Sequence, residues 1–136
     1  MAFILKADLY TSILPDELEE ITRGDDDIVN GSIEIAISEV RGYLSDNFDL
    51  NIILAKTADA RNAMLVSCCV SIAIYEIVAR CQAGNDLKDR EKRYERAKSW
   101  LKMIQKTDLY PDLERLDTTK QGIIAYGSNS KRSNYY

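Results

Sequence analysis

The 136-residue chain contains no histidine, so carboxylates and cysteines are its main candidates for catalysis or metal binding. Cys68, Cys69 and Cys81 lack the CxxC spacing of many metal and redox sites, and all three fall in apolar, helix-like stretches. We interpret them as small buried hydrophobic side chains in a reducing compartment. The thiols therefore provide no predicted site for chemistry.

Three consecutive acids, Asp25, Asp26 and Asp27, invite comparison with a calcium-binding loop. An EF-hand loop needs oxygen ligands at its first, third, fifth and twelfth positions and a glycine at its sixth. Counted from Asp25, the fifth position is Val29 and the twelfth is Ala36, so the ligand pattern fails. We predict instead that residues 23–31 form a solvated acidic loop before a helix.

Carboxylates alone can act as an acid and a base when two of them lie close together. The acidic residues of this chain are expected on exposed helix faces and loops. The chain also lacks the glycine-rich phosphate-binding motifs, and a Ser-His-Asp triad cannot form without histidine. We predict no catalytic residue, no bound cofactor and no metal, with an enzyme that uses clustered carboxylates as the alternative.

The spacing of apolar residues predicts an all-α fold, a small bundle of three long helices preceded by short N-terminal helices. The short helices are expected at residues 7–13 and 15–22, and the long ones at about 32–47, 59–81 and 86–106. Ser32 is the expected N-cap of the first long helix. The second long helix is apolar on nearly every side, so we expect it to be buried on most sides, either as the central helix of the domain or as part of a subunit interface.

Residues 48–56 are apolar without a clear period and are predicted to form an extended connector over the core. The composition changes at residue 117, where Thr, Gly and Ser become frequent. We therefore predict one helical domain at residues 1–116 and a flexible C-terminal arm at residues 117–136. Residues 122–127 within the arm have strand character.

A row of three cations, Lys88, Lys92 and Arg96, has the spacing of one face of the last long helix. Like charges at this spacing destabilise an isolated helix by about 0.2–0.5 kcal/mol per pair. We call this row the basic ridge and interpret it as a surface for an acidic partner, such as residues 16–27 of a neighbouring copy. An ordinary solvated helix face is the alternative.

The arm combines two cations, Lys131 and Arg132, with two terminal aromatic residues, Tyr135 and Tyr136. Arginine and aromatic residues are enriched where proteins dock on proteins. We interpret this end as a partner-docking segment, with an unstructured end as the alternative. Nucleic acid is a weaker interpretation, because two charges provide little affinity.

The bulk composition indicates a soluble globular protein, with 46% apolar residues, 29% charged residues and a net charge of −4. This negative charge argues against a general nucleic-acid binder. No secretory signal is recognised at the N-terminus. The longest apolar stretch, residues 63–79, is interrupted by Ser67, Ser71 and Glu76, so we expect it to fall short of a membrane span.

The order of segments resembles the phage Mu-like head-tail adaptor family. The likeness begins at residues 3–9 (FILKADL) and continues through Leu18 and the pair Ile21-Thr22. It extends to the helix with Ala36, Val40, Tyr43 and Leu44, and then to Arg90, Tyr94, Ala97, Trp100 and Leu101. The resemblance covers residues 3–106 and, more loosely, the arm.

This resemblance implies an all-helical virion subunit of the neck, made in the host cytoplasm and encoded by a phage or prophage. Its implied partners are identical copies in a ring, the portal protein, a tail-side neck protein and, passively, packaged DNA, without contact with a membrane. The arm is implied to help dock the ring onto the portal. A small helical regulator that binds a phage or host protein is the alternative function.

Overall fold

The structure, a computed structural model, describes residues 3–81 and 87–116. Its helices are α1 (Lys6–Leu9), α2 (Pro15–Thr22), α3 (Asp26–Leu44), α4 (Leu50–Ile53), α5 (Ala63–Cys81) and α6 (Leu87–Gln105). A 3-10 turn at Ala58–Ala60 precedes α5. These ranges contain no strand beyond one isolated antiparallel bridge between Phe48 and Arg115, which confirms the predicted all-α fold.

Helix α5 forms the centre of the bundle, packed against both α3 and α6. Its buried residues are Leu65, Cys68, Cys69, Val70, Ile72, Ala73, Ile74, Ile77 and Val78. They point in several directions around the helix, as expected for a helix covered on most sides. The predicted burial of this stretch is therefore confirmed.

By length and composition alone, α5 is able to cross a membrane, so the expectation that this stretch falls short was wrong by that measure. The difference arises because Ser67, Ser71 and Glu76 are too few to lower the average hydropathy of the helix. Half of its apolar stretch is buried within the protein. Core helices covered by neighbouring helices meet the same criterion, and α3 and α6 supply that cover here.

Helix α3 begins at Asp26 rather than Ser32, so the predicted acidic loop at residues 23–31 was wrong. Asp25 is the N-cap, and its Oδ1 accepts a hydrogen bond from the Asp27 amide at 3.0 Å. Acids in the first turn also interact favourably with the positive end of the helix dipole. Ser32, the expected cap, is buried within the helix instead.

The predicted extended connector contains the short helix α4. Asp49 is its N-cap, with Oδ1 3.4 Å from the Ile52 amide nitrogen that donates to it. Leu50 and Ile53 are buried, whereas Ile52 is exposed. The connector thus covers the core as expected, but a helical turn satisfies the backbone polar groups that an extended chain would leave buried.

The chain after α6 returns across the junction between α3 and α4. The Asp49 amide donates to the Glu114 carbonyl at 2.9 Å, and the Leu116 amide donates to the Asn47 carbonyl at 3.1 Å. These two hydrogen bonds flank the bridge between Phe48 and Arg115. We call residues 107–116 the return segment.

The remaining helices agree with the predicted bounds to within a few residues. Helix α2 has the predicted bounds, with Pro15 in its first turn. Helix α1 ends at Leu9, earlier than the predicted residue 13. Helix α5 starts at Ala63, since the 3-10 turn occupies the predicted first turn.

Candidate partner-binding site

The basic ridge lies on the outer side of α6. Lys88, Lys92 and Arg96 are all exposed, whereas Ala97 and Leu101 of the same helix are buried. Within residues 3–81 and 87–116, none of the three cations forms a salt bridge. The structure therefore brings the three together as predicted and leaves their charges facing solvent.

A groove of about 730 Å³ opens beside the ridge, between α5, α6 and the segment that follows α1. Its lining includes Met64, Ser67, Cys68, Ser71, Arg96 and Ala97. Cys68 and Ala97 are buried and form an apolar floor, and Met64 is 43% exposed at the edge. We call this the α5–α6 groove; because Arg96 belongs to both, groove and ridge form one continuous surface.

Two arginines hold the N-terminal segment against this groove. Arg61 binds Asp8 in a bidentate pair, with Nη1–Oδ2 and Nη2–Oδ1 distances of 2.8 and 3.0 Å. Its Nη1 also donates to the Phe3 carbonyl at 2.8 Å. The hydrogen bond from Arg61 lowers the pKa of the Asp8 carboxyl. The positive charge of Arg61 is therefore paired with Asp8 within the protein.

The second arginine, Arg90, is buried and donates from Nη1 to the Ser12 carbonyl at 3.0 Å and to its Oγ at 3.1 Å. Arg93 lines the groove and donates to the same Oγ at 2.9 Å. Neither the Arg61–Asp8 pair nor the contacts of Arg90 and Arg93 with Ser12 were predicted from the sequence. Their partners are far away along the chain, so no local spacing signals them.

The predicted acidic site separates into three different environments. Asp25, Asp26 and Asp27 are all exposed, but Asp25 caps α3. Asp26 pairs with Lys6 at 2.7 Å, and Lys6 also reaches Glu19 at 3.3 Å. Asp27 forms no salt bridge within the described part of the chain. Lys6 therefore offsets the charge of Asp26, Asp25 serves as the helix cap, and Asp27 keeps both carboxylate oxygens available to a partner.

A polar contact joins α3 to α6 within the bundle. The Tyr94 hydroxyl donates to Glu39 Oε1 at 3.1 Å, and the Tyr94 ring stacks on Tyr75 with centroids 4.5 Å apart. Burial raises the pKa of Tyr94, so its hydroxyl stays protonated as a donor. Glu39 Oε2 is buried without a hydrogen-bond partner in the described structure.

The cysteines have the environments expected of hydrophobic side chains. Cys68 and Cys69 are buried, and Cys81 is half-buried. Burial raises the pKa of both Cys68 and Cys69 to about 12, so these two thiols remain protonated at neutral pH. Low thiolate content makes them poor nucleophiles and metal ligands.

Across the two described ranges, no group of three or more acidic or cysteine side chains is arranged to hold a metal ion. The remaining predicted site residues, Lys131, Arg132, Tyr135 and Tyr136, lie outside the described residues, as does the predicted arm that contains them. The candidate site consequently consists of the basic ridge, the α5–α6 groove and the acids near the start of α3.

Fold and surface define a small all-α protein whose available charges lie on outer helix faces. The family model described as Bacteriophage Mu, Gp36 matches residues 3–123. The chain therefore belongs to the bacteriophage Mu Gp36 family, and the resemblance to Mu-like phage proteins is confirmed at this level. No curated protein and no solved structure matches the chain.

Proposed function

We propose that this protein is a non-enzymatic head-tail connector subunit of the phage neck. It assembles into a ring under the portal and joins the DNA-filled capsid to the tail. The observation that carries this proposal is membership in the Mu Gp36 family over residues 3–123. The all-α bundle supports it, because its core is filled by apolar side chains and its available charges face outward.

A ring of identical copies requires two different faces on each subunit, one for each neighbour. The basic ridge and the acids near the start of α3 supply two surfaces of opposite charge. In the proposed assembly, the portal contacts one side of the ring and a tail-side neck protein contacts the other. Contact with packaged DNA is passive, since a net charge of −4 provides no general attraction.

The test is to delete the gene from the phage or prophage that encodes it. We expect lysates to contain DNA-filled capsids and separate tails, because the two cannot join without the connector. Purified protein added to such lysates is expected to restore tailed particles, counted by electron microscopy. Mass spectrometry of wild-type virions should detect the protein as a constituent made in the host cell and incorporated at the neck.

The control is the same deletion complemented with the wild-type gene in the host. Normal numbers of tailed particles from the deletion, or absence of the protein from purified virions, would contradict the proposal. That outcome would favour the second function, a small helical regulator that binds a phage or host protein. A regulator acts during infection and is not expected to remain on the particle.

A further inference from the structure

Helix α3 has an outer face that its own bundle leaves largely uncovered, although Arg80 of α5 reaches to 4.0 Å from where a Cβ on Gly31 would lie. The opposite face buries Val29, Ile33, Ala36 and Val40. The outer side exposes Asp27 and Glu34, and beside Glu34 the side chain of Ile35 is 48% exposed. Within the described chain, neither Asp27 nor Glu34 forms a salt bridge. This face thus carries two available carboxylates and an exposed aliphatic group.

The basic ridge and the α5–α6 groove offer the complementary features. The ridge has available cations. The groove beside Arg96 has an apolar floor formed by Cys68 and Ala97, and its lining also includes the charged side chains of Asp59, Arg61 and Arg93. An acidic helix face with one aliphatic side chain fits this combination, because the cations attract its carboxylates and the floor covers the aliphatic group.

The spacing of the two carboxylates along α3 is also close to the length of the basic ridge. Asp27 and Glu34 are seven residues apart, which is about 10 Å along a helix axis. The ends of the basic ridge, Lys88 and Arg96, are eight residues apart, which is about 12 Å. Two helices laid side by side therefore place one carboxylate near each end of the ridge.

We propose that the outer face of α3 from a second copy lies along the basic ridge, with Ile35 in the α5–α6 groove. This inference rests on the proposed function, for which it names the contact between neighbouring subunits. No residue of α3 lines the groove, so the two surfaces are separate parts of one molecule. A contact between them is heterologous and leaves each copy able to bind another at both faces.

The acidic residues of α2 form a less suitable occupant, although Leu14 before that helix is 69% exposed. Leu14 is only two residues from Ser12, which itself lines the groove. A contact through Leu14 therefore joins neighbouring patches and favours a closed pair over a ring. DNA is less suitable too, because its phosphates do not cover an apolar floor.

The test uses charge reversal with rescue by mixing. One variant, Lys92→Glu with Arg96→Glu, makes the ridge acidic, and another, Asp27→Lys with Glu34→Lys, makes the outer face of α3 basic. Each alone places like charges opposite each other, so we expect self-association to weaken by at least about 10-fold. An equimolar mixture restores both complementary contacts and should associate as the wild type does.

Self-association is measured by sedimentation velocity over a range of protein concentrations, alone and with the purified portal of the same phage. The control variant is Asp16→Lys with Glu20→Lys, which reverses two exposed charges on α2, a helix outside the proposed contact. We expect this control to associate like the wild type. Rescue in the mixture also shows that both charge-reversed chains are folded.

A second pair of variants tests the aliphatic contact. Ile35→Lys is expected to weaken self-association at least about 10-fold, because it removes the aliphatic group and places a cation beside Arg93 and Arg96 in the groove. Ile52→Lys is the matched control, since Ile52 is also 48% exposed but lies on α4. We expect no change in association for this control.

Wild-type association in the charge-reversed or Ile35→Lys variants would overturn the proposed contact. So would a wild-type protein that does not self-associate either alone or on the portal. Loss of binding to duplex DNA in the ridge variant, with self-association intact, would make the ridge a nucleic-acid surface instead. In each case the gene deletion still tests the neck function separately, because it measures head-tail joining and not this contact.

Discussion

Helices α5 and α6 have the same length of 19 residues, but they bury very different surfaces. Helix α5 buries nine residues, all apolar or cysteine, on several sides. Helix α6 buries four, and one of them, Arg90, is charged. The rest of α6 is dominated by charged side chains, including the basic ridge.

The two helices therefore contribute differently, α5 mainly to stability and α6 mainly to the exposed surface. Burial of apolar area is the main favourable contribution to folding, so the fold depends most on α5. Helix α6 is held by a narrow apolar stripe and by a few directed polar contacts, and its outer face remains available. A change on α5 should therefore lower stability, whereas a change on the outside of α6 should leave stability nearly unchanged and act on the proposed association.

The largest expected effect comes from truncating a core residue of α5. Ile77 is fully buried, and Ile77→Ala should lower the free energy of unfolding by about 2–5 kcal/mol through lost burial and a residual cavity. Glu95→Ala on the exposed face of α6 is the control, expected within about 0.5 kcal/mol of wild type. Urea denaturation measures both, and equal losses would contradict the contrast between the helices.

An intermediate effect is expected just before α5, where Arg61 pairs with Asp8. Asp8→Ala removes both hydrogen bonds to Arg61 and the one that the Leu5 amide donates to Asp8 Oδ2. The two side chains of this pair are only 14% and 18% exposed, so we expect a loss of about 2–3 kcal/mol in the free energy of unfolding. Asp16 is an exposed acid in the first turn of α2, and Asp16→Ala should lower the free energy of unfolding by about a few tenths of a kcal/mol at most.

The Asp8 contribution should also depend on pH. The hydrogen bond from Arg61 lowers the pKa of Asp8 below its ordinary value of 3.8. A lowered pKa in the folded state gives stability that is complete above the ordinary value and is lost as pH falls through the folded value. The difference between wild type and Asp8→Ala should thus stay constant near neutral pH and shrink only in acid. A difference that shrinks on raising the pH would contradict this account.

The smallest of these effects concerns the polar contact that attaches α6 to α3. Tyr94→Phe removes the hydrogen bond to Glu39 and keeps the ring stacked on Tyr75, so we expect a loss of about 1 kcal/mol. Tyr10→Phe is the control, because Tyr10 is 39% exposed and lies just after α1, outside this contact, and it should change stability by less than about 0.5 kcal/mol. Thermal unfolding followed by circular dichroism measures both variants, and equal losses would contradict the role of the Glu39 contact.

The elements best predicted from the sequence are those with strong local signals. Helix α2 was placed correctly because Pro15 fixes its first turn and Leu18 sits on its buried face. The start of α3 was missed because Asn30-Gly31 reads as a turn by composition. The helix nevertheless starts earlier, because Asp25 caps it. Gly31 lowers the helix stability by only about 1 kcal/mol, and packing of α3 against α5 offsets this loss.

The candidate site was predictable only in part. The basic ridge followed from helical spacing, and its three cations are exposed on α6, while its role as an interface stays a prediction. The α5–α6 groove was missed, because its walls come from segments that meet only in the tertiary structure. Asp8 and Arg61 are 53 residues apart, and Ser12 and Arg90 are 78 apart. The periodicity of a single segment gives no information about pairs of residues so far apart along the chain.

The return segment determines how the molecule carries a mechanical load. The Leu116 amide is bonded to the Asn47 carbonyl, and the Asp49 amide to the Glu114 carbonyl. Tension applied to the chain beyond residue 116 therefore reaches the junction of α3 and α4 before it reaches the end of α6. The force is shared by these two hydrogen bonds, the Lys56–Glu114 ion pair and the hydrogen bond from the Asn62 side chain to the Asp112 carbonyl. The last turn of α6 is shielded from unwinding until these contacts break.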